Sequence, residues 1–178
     1  MFHKIVVALD YAEPSSPVFD EALSLAKMMG AQLRLLNVLS FEDSVGYQLP
    51  AYPGGFYAAL TEPQLNLYRE EWAEFKNRSL RQLEADIETA KAAGVSAELC
   101  QLYGNPGKRI CEFAQNWSAD LILMGRRGRT GISELLLGSA SNYVLHHACC
   151  AVLVLNTALQ PREATNRAAS LRTTTAPS

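Results

Sequence analysis

The chain has 178 residues, a formal net charge of −2, 48% hydrophobic residues and four cysteines. That length suits one well-buried core, and the near-balanced charge leaves no global basic surface for nucleic acid or an anionic membrane. No apolar run reaches the roughly 18 residues of a membrane span, and the N-terminus passes directly into strand-like sequence rather than a signal peptide, so a soluble, cytoplasmic protein with buried, reduced thiols is expected.

Lys4 to Leu9 is a β-branched apolar run that suits a strand buried on both faces, with Asp10 at its carboxyl end. Ser15-Ser16-Pro17 supplies an N-cap and a first-turn proline for a helix that carries Phe19, Leu23, Ala26 and Met29 and stops at Gly30. Gln32 to Leu39 reads as a second strand, followed by a long loop from Ser40 to about Glu62 rich in Gly, Pro and Tyr. From Pro63 to Ala93, Tyr68, Trp72, Phe75, Ser79, Leu83, Ile87 and Ala90 recur at helical spacing, which makes the aromatic stripe a core face. Ser96 to Leu102 is a third strand. Gly104-Asn105-Pro106-Gly107 then turns into a helix with Ile110, Phe113, Ala114 and Trp117, where Asn105 can cap and Pro106 takes the first helical position.

Leu121 to Met124 is a fourth strand that runs straight into Gly125. With Gly128, Gly138 and Ser139 it forms Gly-x2-Gly-x9-Gly-Ser. Glycines at a strand end let backbone N–H groups approach an anion, since no Cβ stands in the way. Ser139 and Ser141 precede Tyr143-Val144-Leu145 and mark a helix start, whose free amides and positive dipole end attract phosphate. The bland alternative is that the glycines only make turns; the full spacing favours phosphate. Neither Gly-x4-Gly-Lys-Ser/Thr nor Gly-x-Gly-x2-Gly after the first strand occurs, which argues against a P-loop or dinucleotide fold. His146, His147, Cys149 and Cys150 invite a metal reading, but no second ligand pair accompanies them, and histidines near a helix C-terminus are already favourable through the dipole. Ala151 to Leu155 is a fifth strand. Beyond Asn156 little remains to bury, so residues 157–178, with Arg162, Arg167 and Arg172, read as a disordered tail behind one domain over 1–156.

Strands and helices alternate throughout, which argues an α/β fold with a parallel sheet between helices and right-handed crossovers. Ligands of such sheets bind beyond the carboxyl strand ends at a topological switch point, where Asp10, Val38 and Met124 to Gly125 can converge. Asp10 could accept from ribose hydroxyls or help hold a metal ion, Val38 and Met124 offer apolar faces to a base, and Arg127 can neutralise phosphate. A plain turn-capping Asp10 is the competing reading.

On Ile5-Val6-Val7-Ala8-Leu9-Asp10, Gly104-Asn105-Pro106, Ala119 to Gly125 and the glycine–serine spacing, residues 1 to about 156 resemble the universal stress protein family in its ATP-binding subgroup. The resemblance implies a single doubly wound, five-stranded parallel sheet flanked by helices, Rossmann-like and adenine nucleotide α-hydrolase-like. It also implies ATP, ADP or AMP at the strand tips, with or without Mg2+, and a homodimer through the last strand, Ala151 to Leu155. By position, Ala8, Leu9 and Asp10 would line the nucleoside, Val38 would meet adenine through its backbone, Met124, Gly125, Arg127 and Gly128 would follow the nucleotide, and Gly138, Ser139, Ala140 and Ser141 would hold phosphates. The implied role is a stress or signalling regulator with slow or no hydrolysis and an unidentified protein partner. Asp10 and Glu134 are the acidic candidates near the motif and neither is a convincing general base, so no catalytic residue is assigned. A weak ATPase and a nucleotide-free dimeric interaction module stand as alternatives. An adenylate-forming enzyme of similar topology is disfavoured, because Asp10-Tyr11-Ala12-Glu13-Pro14-Ser15 stands where such enzymes carry Ser-Gly-Gly-x-Asp-Ser.

Overall fold

The apolar runs form five strands in the computed structural model, which describes residues 1–11, 17–40, 62–126 and 138–156. They are β1 (Lys4–Ala8), β2 (Gln32–Leu39), β3 (Ala97–Tyr103), β4 (Leu121–Gly125) and β5 (Ala151–Leu155), interleaved with helices α1 (Pro17–Met29), α2 (Glu62–Ala92), α3 (Pro106–Trp117) and α4 (Ser139–His147). Every strand pair is parallel and the order is β3-β2-β1-β4-β5, a single doubly wound sheet as expected. Ser15, Ser16, the loop over 41–61 and the 157–178 tail lie outside the described residues. No described helix is long and apolar enough to cross a membrane.

Alternation along β1 explains why its whole run is apolar. Ile5, Val7 and Leu9 pack with Phe19, Ala22 and Ala26 of α1 and with Leu83, Ile87 and Ala90 of α2. Val6 faces the opposite layer, with Ile110 and Ala114 of α3 and Val144 of α4. Both faces of the strand are therefore withdrawn from water, which only a continuous hydrophobic sequence tolerates.

Helix α3 starts where its sequence says it should. The Asn105 side chain accepts from Lys108 N at 3.1 Å and Pro106 enters the first turn. It ends at Ser118 in the left-handed region, φ 55°, whose N–H donates to Gln115 O. Helix α2 departs from its sequence reading. Ser79, Leu83, Ile87 and Ala90 are buried, whereas Trp72 and Phe75, stacked at 5.8 Å, remain half-exposed; the side chain of Tyr68 is outside the described set. The cause is length: 31 helical residues reach about 46 Å at 1.5 Å per residue, far beyond the roughly 26 Å of an eight-residue strand.

At the amino end of the sheet the Asp120 carboxylate accepts from His3 N at 2.8 Å and Lys4 N at 2.9 Å, tying the start of β1 to the start of β4. Those two amides hold its pKa below the ordinary 3.8. The thiols are free, but none is fully buried: Cys100, Cys111 and Cys150 are half-buried and Cys149 is exposed. They border the α3–α4 layer or sheet edge rather than its centre, and partial burial pushes Cys150 up to about 11.

Candidate functional site

The strand order reverses direction at β1, with β2 on one side and β4 on the other, so the carboxyl ends of β1 and β4 open a crevice between them. The register sets Ala8 beside Leu36 and beside Met124. Leu9 N extends the ladder to Leu36 O at 2.9 Å, and Asp10 follows at the crevice. Ala8, Val38 and Met124 all belong to the apolar cluster on the α3–α4 face of the sheet, and Ala140 from the first turn of α4 packs against that same cluster. Residues far apart in sequence thus meet where strands end and a helix begins.

Gly138 is the N-cap of α4, with φ −56° and ψ 157°. Having no side chain, it cannot satisfy the first-turn amides, which a helix leaves without intrahelical partners. Its negative φ is open to any residue, so the backbone angle is not what calls for glycine here. Ser139 is exposed at this start. Ser141 is 2% exposed, and its Oγ donates to Gly138 O at 2.9 Å, turning the hydroxyl into the helix. On the strand side, Gly125 leads to Arg126, whose N–H donates to Leu155 O at 2.7 Å. Arg127 and Gly128 lie outside the described residues. The structure therefore gathers Ala8, Val38 and Met124 with Ala140 of the α4 start in one cluster, sets Asp10 and Gly125 at the ends of the adjacent strands β1 and β4, and turns Leu9 into the opposite, α1–α2 layer.

Two polar features at the same strand ends escape a sequence reading. Asn37, 2% exposed, donates through Nδ2 to Leu9 O at 3.0 Å and accepts at Oδ1 from Gln101 Nε2 at 3.1 Å. Tyr11 donates its hydroxyl to Asp86 Oδ2 of α2 at 2.7 Å, with both residues buried. Burial first, then the hydrogen bond to Asp86, pushes the Tyr11 phenol well above its ordinary 10. Desolvation also raises Asp86, against the lowering hydrogen bonds from Tyr11 and Gln82. The available signal was small: a lone Asn inside an apolar run and an Asp on the buried side of an amphipathic helix.

At the other end of α4, His147 Nδ1 sits 2.9 Å from Tyr143 O and its ring stacks on Tyr143 at 4.0 Å. His147 is thus tied into its own helix terminus.

An open parallel sheet with a switch-point crevice, faced by a helix N-terminus on one side, defines a doubly wound, Rossmann-like α/β protein. Residues 1–156 match the model of the universal stress protein family, and the chain belongs to that family. It is 32% identical to universal stress protein Sll1388 of Synechocystis over 86% of this chain and 97% of that one. To universal stress protein YxiE of Bacillus subtilis it is also 32% identical, over 87% of this chain and 99% of the relative. Among solved structures, universal stress protein UspA from Lactobacillus plantarum superposes with a TM-score of 0.66 at 22% identity, covering 87% of this chain and 98% of the other. A universal stress protein in complex with cAMP gives 0.56 at 22% identity, covering 87% and 97%. At that identity the structural likeness speaks for the fold.

Proposed function

We propose that this universal stress protein binds an adenine nucleotide, with ATP as the preferred ligand, and acts as a stress or signalling regulator whose occupancy, rather than turnover, carries the signal. The observation that carries this reading is the meeting of Ala8, Val38, Met124 and Ala140 in one apolar cluster beneath the β1–β4 crevice. A planar base needs that kind of apolar floor, and a triphosphate needs uncapped amides within reach of it. Val38 and Met124 would floor the base, Asp10 would accept from ribose hydroxyls, and Ser139 would donate to phosphate. Ser141, its hydroxyl already engaged, would serve through its amide. Gly125, Arg127 and Gly128 would complete the phosphate path, with Mg2+ as a companion of the triphosphate. The family member solved with cAMP supplies a precedent for an adenine ring on this fold.

Slow or absent hydrolysis is part of the proposal, because neither Asp10 nor Glu134, the acidic residues near the glycine motif in sequence, makes a convincing general base for in-line attack by water. Assembly as a homodimer through β5 is the other part. That strand lies at a sheet edge and leaves Leu153 38% exposed, an apolar edge that a second copy would cover.

The test is calorimetric titration of ATP, ADP and AMP into the wild-type chain and into Gly138→Val. A valine fits the φ and ψ of this position, so the fold should survive and far-ultraviolet circular dichroism should be unchanged, while ATP binding is lost. Equal affinity in the two proteins would refute the phosphate assignment.

A further inference from the structure

Asp10 lies between two anchored residues. On one side both polar atoms of the Leu9 backbone are engaged, N with Leu36 O at 2.9 Å and O with Asn37 Nδ2 at 3.0 Å. Gln101 fixes the Asn37 amide in turn, at 3.1 Å, so its donor face points at Leu9. On the other side Tyr11 is 4% exposed within the α1–α2 layer and its hydroxyl is tied to Asp86 at 2.7 Å. We infer that the Tyr11–Asp86 hydrogen bond and the Asn37 amide act together as a positioning device, which holds the Asp10 carboxylate where it meets the ribose hydroxyls of the nucleotide.

A purely structural role explains the pair poorly. An apolar pair of similar volume would dock α2 on the sheet without desolvating a carboxylate, and such replacements are often neutral or stabilising. What a phenol–carboxylate bond adds is direction, since a 2.7 Å contact fixes where the ring and its backbone sit. That precision matters at the next residue along the chain, where a short Asp side chain has little reach with which to correct an error.

This inference rests on the nucleotide reading above, and the test separates the two. ATP and 2′,3′-dideoxy-ATP, which lacks both ribose hydroxyls, are titrated into the wild type, Tyr11→Phe, Asn37→Ala, Asp86→Asn, Asp10→Ala and the Asp10→Ala/Tyr11→Phe double variant, with thermal midpoints recorded for each. Wild type should prefer ATP. Tyr11→Phe and Asn37→Ala should each weaken ATP by about tenfold and leave the dideoxy affinity unchanged. Asp86→Asn still accepts from Tyr11 and should keep the wild-type preference, and Tyr11→Phe should add nothing once Asp10 is Ala. A lowered midpoint with an unchanged ATP-to-dideoxy ratio in both Tyr11→Phe and Asn37→Ala would overturn the inference and leave the pair a docking contact. Equal wild-type affinity for the two nucleotides would overturn it while sparing the nucleotide reading; no wild-type binding of either would sink that reading first.

Discussion

Gly107 shows how much a single missing Cβ can decide. A Cβ built there would stand 2.8 Å from Tyr143 Cβ and 2.9 Å from two ring atoms, so α3 and α4 approach as closely as they do because this residue has no side chain. Gly107→Ala should destabilise the chain by about 1–3 kcal/mol, the usual range for overpacking, seen as a lower urea midpoint with an unchanged m-value. In the sequence the residue passes for part of a Gly-Asn-Pro-Gly turn, because its partner lies on a different helix. Asp120 offers a prediction in pH. Its folded pKa is below the ordinary 3.8, so its contribution is present above that value and is lost as pH falls through the folded one. Urea midpoints of wild type and Asp120→Asn should therefore differ near neutrality and converge in acid. A difference that persists or widens at low pH would contradict the double amide contact.

At the scale of elements, α2 divides into a half that holds the molecule together and a half that does not. Leu83, 0% exposed, sits between the helix and the sheet, and Leu83→Ala should cost about 2–5 kcal/mol. Leu67, 57% exposed on the N-terminal half, should tolerate Ala within about 0.5 kcal/mol; comparable losses at both sites in chemical denaturation would refute that division. The 3.6-residue spacing made the helix legible but not where its support ends, since periodicity carries no information on how far the sheet extends beneath it. Strands were more transparent. β2 and β5 follow their sequence bounds to the residue, and β1, β3 and β4 shift by one; in the central strands β1 and β4 burial on both faces demands apolar residues at every position, whereas the edge strand β3 admits Glu98 and Gln101. Tyr11 and Asp86 were opaque for the opposite reason: they are 75 residues apart, and neither residue type announces a partner.

The whole molecule is governed by one topological event, the crossing of the chain from β3 at one edge to β4 beside β1. That crossing opens the crevice, and the glycine–serine spacing after β4 delivers the α4 N-terminus to the face where Ala8, Val38 and Met124 cluster. This much of the site was readable from sequence, since glycines and serines at fixed spacing bracket a strand end and a helix start. The Asn37 and Tyr11 anchors, which depend on side chains meeting across the sheet, were not. The same topology leaves β5 at an edge, so Leu153→Lys should convert a dimer to a monomer in sedimentation velocity without loss of helix content. An unchanged sedimentation coefficient would place any dimer contact elsewhere.

The adenine nucleotide proposed for the β1–β4 crevice can be sought in the protein itself. Acid extraction of the gently purified chain with mass spectrometry of whatever is released, followed by ATP titration of the stripped protein with and without magnesium, tests that proposal most directly. An adenine nucleotide should appear in the extract, with saturable rebinding of ATP that Gly138→Val abolishes. An empty extract together with no ATP binding by the folded, stripped chain would contradict the proposal and would make the glycines turns in a nucleotide-free interaction module.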